Sequence, residues 1–158
     1  MDLILKFDIF RRCYNEFIIT RNMSGVEGGN SGFSYTVKTL KTINQAVEDI
    51  TASLKEVGFG VLGTLNFKEI LQKKGLDYKD EYRLLEVCNP SAAKQALESN
   101  PEIGLLLPCT IAIYQKNNEN FISLAKPTAL LANIHDNRLD KFGQEMEQKL
   151  MSAIQKVK

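Results

Sequence analysis

The feature that most constrains this chain is a repeated change in the spacing of its apolar residues. Phe33, Tyr35 and Val37 alternate with Ser34, Thr36 and Lys38, the period of two that a half-buried strand requires. From Ile43 the spacing lengthens: Ile43, Val47, Ile50, Leu54 and Val57 fall on one stripe of a helix, behind Thr42 as the capping hydroxyl. Gly58 and Gly60 end that helix and open a second strand, Phe59 to Leu65. Asn66 is placed to cap a short helix through Phe67, Ile70 and Leu71, which Gly75 stops.

The same alternation of periods continues to the C-terminus. A third strand, Tyr82 to Cys88, ends at Asn89-Pro90, and Pro90 suits a first helical turn, where no amide donor is needed. A helix over Ser91 to Ser99 follows. Asn100-Pro101 then turns the chain into Gly104 to Tyr114, which the apolar run predicts as the strongest strand. Gln115 to Asn120 is a polar loop, so Phe121 to Ala125 reads as the second arm of a hairpin. Pro127 starts a helix with Leu130 and Leu131 facing inward. Leu139, Phe142, Met146, Leu150, Ile154 and Val157 mark a long closing helix. This order predicts an α+β fold, a mostly antiparallel sheet with helices packed on one face.

A chain of 158 residues can bury about two thirds of its unfolded surface, enough for one domain with a real core. Ser24 to Gly32 holds four glycines and two serines, which is linker chemistry. Residues 1–32 are therefore expected to be an N-terminal extension and linker, with Met23 just before the glycines, and residues 33–158 a single α+β domain. No Gly-Lys-Ser/Thr follows the linker, so it is not a phosphate cradle. Leu3-Ile4-Leu5 is cut by Lys6 and Asp8, too short for a signal core or a membrane span.

Charge narrows the partners. Lys plus Arg number 20 against 19 Asp plus Glu, a net charge of +1, which gathers neither nucleic acid nor an anionic membrane. A small or neutral partner is expected. The 3 cysteines, without a secretory signal, read as reduced thiols in the cytoplasm.

Sulfur is the unusual chemistry of this chain. Cys88 lies where a strand passes to a helix, sharing a strand face with Glu86, and the helix dipole there would favour its thiolate. Cys109 follows Pro108 and shares a face with Leu105, Leu107, Ile111 and Ile113, the setting of a small buried hydrophobe. Pro108 cannot donate to a ladder, so an edge position or a bulge is expected there, and a bulge could bring the two thiols together. The candidate ligand-binding residues are Glu86, Cys88, Asn89 and Cys109. His135 is the single histidine, read as a solvated loop residue. No catalytic residue, cofactor or metal is assigned.

An ordered set of phrases resembles one known family. Gly58-Phe59-Gly60-Val61-Leu62 after an amphipathic helix, Lys74-Gly75, Cys88-Asn89-Pro90 with Ala93 and Ala96, and Gly104-Leu105-Leu106-Leu107-Pro108-Cys109 are similar to the domain of unknown function 302 family of bacteria and archaea. The resemblance covers roughly Phe33 to Leu131. It implies an α+β fold like that of the TATA-box-binding protein, often packed as a homodimer, and it implies no agreed activity. The function expected is a homodimeric ligand-binding or sensing module. The alternatives are a thiol-dependent redox or metal-binding protein using Cys88 and Cys109, and a structural interaction module with buried thiols.

Overall fold

The computed structural model describes residues 31–132, 134 and 137–158. Residues 1–30, and with them Cys13, Met23 and most of the glycine-rich linker, lie outside the described residues. Among the described residues five strands form one antiparallel sheet: β1 (Ser34–Thr39), β2 (Gly60–Asn66), β3 (Tyr82–Cys88), β4 (Cys109–Lys116) and β5 (Glu119–Ala125). Their spatial order is β1-β5-β4-β3-β2, which puts β4 at the centre and β1 and β2 at the edges. The β4–β5 hairpin turns through Asn117 and Asn118, both at positive φ, the backbone that a two-residue connection between twisted strands demands.

Local chemistry sets each helix. α1 (Ile43–Glu56) starts in a capping box: Gln45 N donates to Thr42 Oγ1 at 3.3 Å, and Thr42 N donates to Gln45 Oε1 at 3.2 Å. It ends at Gly58, whose φ of +82° is left-handed backbone that glycine adopts without penalty. α2 (Phe67–Lys73) is capped by Asn66. α3 (Pro90–Ser99) is capped by Asn89, whose Oδ1 accepts from Ala92 N at 2.9 Å. α4 (Pro127–Leu131) has no cap of its own, and Glu147 of α5 (Asn137–Gln155) accepts from Thr128 N at 3.1 Å instead.

The core lies on one side of the sheet. Leu85 and Val87 of β3, Ile111 and Ile113 of β4, and Ile122 and Leu124 of β5 point to one face and are fully buried. Over them lie Ile50 and Leu54 of α1 and Leu150 and Ile154 of α5, also fully buried. The two helices meet closely at small residues, where Ser53 Oγ donates to Ala153 O at 3.0 Å. A second cluster, Ala96, Ile103, Leu131 and Leu139, fills the end of the sheet nearest α3.

One stretch departs from the expected pattern. Gly104 to Tyr114 is not a single strand: Pro101–Leu106 wind into a 3-10 helix and pairing begins at Cys109. Asn100 starts that turn, its Oδ1 accepting from Glu102 N at 2.9 Å, with Pro101 at the first position. Pro108, joined to Leu107 by a cis peptide bond, precedes β4 and takes no ladder position, so neither an edge nor a bulge is needed. The bulge lies in β2, between Val61 and Gly63. Leu105 is 87% exposed, so Cys109 shares its strand face with Ile111 and Ile113 but not with Leu105 or Leu107.

These placements predict unequal costs of truncation. Ile50→Ala or Leu85→Ala should lower unfolding free energy by about 2–5 kcal/mol, and Leu105→Ala by less than about 0.5 kcal/mol. Urea denaturation of the three variants checks this. A Leu105→Ala loss as large as the others would restore that residue to the core.

Candidate functional site

β3 and β4 finish side by side, with Val87 paired to Cys109. β3 hands the chain to α3 through Asn89, while β4 receives it from the 3-10 helix. Between these ends and the helices α3, α4 and α5 lies a partly enclosed chamber walled by Phe59, Ala93, Leu107, Leu130, Phe142 and Met146, together with Cys88, Asn89 and Cys109. About 40 Å³ of it is open to the centre of a water-sized sphere. A water needs only about 10–15 Å³ on that measure, but it also needs two to four polar partners. The side-chain amide of Asn89 is the lone strongly polar group in the walls, and its oxygen is already spent on the α3 cap. The chamber suits a compact apolar occupant better than water.

Three of the four candidate residues, Cys88, Asn89 and Cys109, meet in this chamber. Glu86 does not. It faces the opposite side of the sheet, its carboxylate lying over the β2 bulge so closely that a Cβ on Gly63 would come within 2.8 Å of Glu86 Oε2. Cys88 has the same strand parity but is the last residue of β3, and it reaches the chamber from the end of the sheet.

The thiols are held protonated. Burial pushes Cys109 from the ordinary 9.0 up to about 11, the neighbouring Cys88 raises it further, and a backbone hydrogen bond offsets only a small part. Burial raises Cys88 as well. The shift runs opposite to the lowering expected from the α3 terminus, and its cause is desolvation of the thiolate. Among the described residues no group of three His, Cys, Asp or Glu side chains could hold a metal ion. His135 lies outside the described residues.

The second face of the sheet carries an arrangement that residue spacing alone could not reveal. Tyr82, Tyr114 and Phe121 stand opposite one another on β3, β4 and β5 and stack at 5.7 and 5.5 Å between ring centroids, with Phe67 edge-on to Tyr82. Beside the ladder lie small uncharged residues, Thr36, Ala112 and Ser123, with a 2.7 Å hydrogen bond between the Thr36 and Ser123 hydroxyls. At the β2 edge, Phe67, Leu71, Tyr78, Tyr82 and Leu84 line an open groove of about 230 Å³, and Leu62, Leu65, Ile70 and Leu76 are exposed on β2, on α2 and just beyond it. Finding the ladder requires the register of three strands. Each aromatic by itself reads as one more alternating residue.

Comparison with known proteins places this geometry. Residues 33–157 match the family model described as domain of unknown function DUF302. The crystal structure of an uncharacterized conserved DUF302 protein from Bacillus stearothermophilus has 36% sequence identity and a TM-score of 0.78, covering 81% of this chain and 100% of that one. No curated protein matches the sequence. No helix among the described residues is long and apolar enough to cross a membrane.

The raised thiol predicts a specific pH dependence. In the unfolded chain Cys109 loses its proton near 9.0 and in the folded chain near 11, so its stabilising contribution is complete below pH 9 and disappears as pH rises through 11. Tyr82 and Tyr114, also raised by burial, act in the same direction above their ordinary 10.0. Chemical denaturation between about pH 8.5 and 11 should therefore cost the unmodified protein roughly 2 kcal/mol more than Cys109→Ala. Identical pH slopes would mean that Cys109 is solvated.

Proposed function

The chain belongs to the DUF302 family, whose description assigns no activity, and from that premise we propose that it is a ligand-binding module that takes up a compact apolar molecule, or the apolar arm of a larger one, at the end of β3 and β4. The observation that carries this reading is the chamber itself, apolar on nearly every wall and assembled from strands, helices and the 3-10 turn. Such a site can report occupancy, because α3, α4 and α5 all border it. Thiol chemistry is the weaker reading: Cys88 and Cys109 share a wall, but both are protonated at neutral pH. Their free, reduced state suits the cytoplasm.

The proposal includes a second copy of this chain as partner, seated on the open sheet face. The centre of that face, the stacked rings with Thr36, Ala112 and Ser123, is uncharged, while Lys38 paired to Glu119 and Glu86 flank it with no excess of positive charge, which favours a protein partner over nucleic acid or an anionic membrane. At about 4.8 Å per strand and 3.4 Å per residue, two such sheets meeting face to face bury on the order of 1,000 Å², the lower bound for a stable pair.

Two measurements test these statements. Benzene titrated into ¹⁵N-labelled protein should produce saturable amide shifts at Cys88, Ala92 and Ala93, and these should vanish in Ala93→Leu, which fills the chamber. Saturation that persists in the filled variant would remove the chamber from the proposal. Sedimentation equilibrium should give a dimer that Ala112→Lys converts to a folded monomer, because the new charge would have to be buried at the centre of the face, at a cost of several kcal/mol. An Ala112→Lys dimer of unchanged affinity would place the partner elsewhere.

A further inference from the structure

We infer a second binding site, for a small zwitterionic amino carboxylate, in the polar cleft where the start of α1 overhangs the hairpin end of the sheet. It is independent of the apolar chamber, which lies at the other end of β3. The cleft is open to solvent, offers about 390 Å³ and is lined by Thr42, Ile43, Asn44, Glu81, Arg83, Gln115 and Asn120. Arg83, Gln115 and Asn120 occupy helix-facing positions on β3, β4 and β5, in the same columns as buried Leu85, Ile111 and Ile122. The columns turn polar while still partly covered: the Arg83 side chain is only 17% exposed.

Arg83 is held by one nitrogen. Its Nη1 donates to Asn66 Oδ1 at 2.9 Å and to Glu81 Oε2 at 2.8 Å, while Glu81 Oε1 takes Lys68 at 2.6 Å. Nε and Nη2 make no hydrogen bond among the described residues, and these two form the parallel pair of donors that a carboxylate accepts side-on. The facing wall is the first turn of α1. Thr42 Oγ1 serves Gln45 N there, so the amides of Ile43 and Asn44 are left without an intrahelical partner, and no acidic residue stands in that turn. Donors on two sides define the carboxylate position.

The acceptors define the other end of the ligand. Glu81 stays ionised, its carboxyl held below the ordinary 4.5 first by the Lys68 hydrogen bond and then by Arg83. Asn120 Nδ2 donates to Lys41 O at 2.9 Å, which leaves its Oδ1 buried in the lining with no partner. Gln115 offers a further amide carbonyl. The lining sets the Arg83 cation beside the Glu81 anion, with Lys68 behind Glu81, so a ligand that bears both signs can pair at both ends, its carboxylate with Arg83 and its ammonium against Glu81 and the Gln115 amide.

Glycine, the head group alone, is the probe. Titrated into the ¹⁵N-labelled full chain, it should shift the amides of Ile43 and Asn44 and the Arg83 Nε–H saturably, with acetate and methylamine each at least about tenfold weaker. Asn44→Asp places a carboxylate in the first turn of α1, which favours the helix and repels the ligand. That variant should keep or raise its melting temperature while glycine affinity falls about tenfold or more, and Arg83→Gln should lose binding similarly. No saturable shift up to about 100 mM glycine, or an unchanged affinity in Asn44→Asp, would overturn the site. Because benzene and glycine report on different residues, neither outcome depends on the other.

Discussion

Everything in this molecule follows from a sheet whose two long helices cover only one of its faces. α1 and α5 lay their apolar stripes across Leu85, Ile111, Ile113, Ile122 and Leu124, and the helices approach closely because Ser53 and Ala153 are small at their contact. Desolvating that single layer is the main driving force for folding. Two helices cannot cover a five-strand sheet to its corners. The regions they leave are filled by different means: α3, the 3-10 helix and α4 at one end, polar side chains at the other, and aromatic stacking on the reverse side.

The chamber is a product of that arrangement. The satellite cluster of Ala96, Ile103, Leu131 and Leu139 closes the sheet end with short elements, and short elements cannot interdigitate as tightly as two long helices do. α4 and α5 still approach closely, since a Cβ on Gly143 would sit 3.0 Å from the Leu131 side chain. The unfilled volume remains further in, against the ends of β3 and β4. There the two thiols supply soft, weakly polar surface without adding charge.

The order of strands and helices was legible because local signals agree with global ones. Thr42, Asn66 and Asn89 cap the helices their positions announce, Pro90 and Pro127 begin helices, and the spacing of Leu139 to Val157 is that of the closing helix. Gly104 to Tyr114 misled because an apolar run does not declare its period. Leu105, Leu106 and Leu107 satisfy a strand and a tight helix equally, and Asn100-Pro101 decides between them. Glu86 and Cys88 share a strand parity, yet Cys88 borders the chamber and Glu86 does not, because two residues on one strand face can lie under different parts of the fold. The aromatic ladder and the polar cleft were hidden for another reason: each joins residues from three or more segments, and only pairing register brings them together.

The strand order also governs how the chain can reach this state. Among the described residues β1 is the first strand of the sheet and pairs only with β5, so Ser34 must find Ala125. The hairpin β4–β5 can form early, since its arms are joined by two residues, and β3 can add to it across the α3 and 3-10 connection. β1 must wait until nearly the whole domain has left the ribosome, with Tyr35 and Val37 lacking the surface that will cover them. Such a sheet pays the entropy of its longest loop last. β1 is the piece most exposed to capture by a chaperone, or by the free β5 edge of another unfinished molecule, during synthesis.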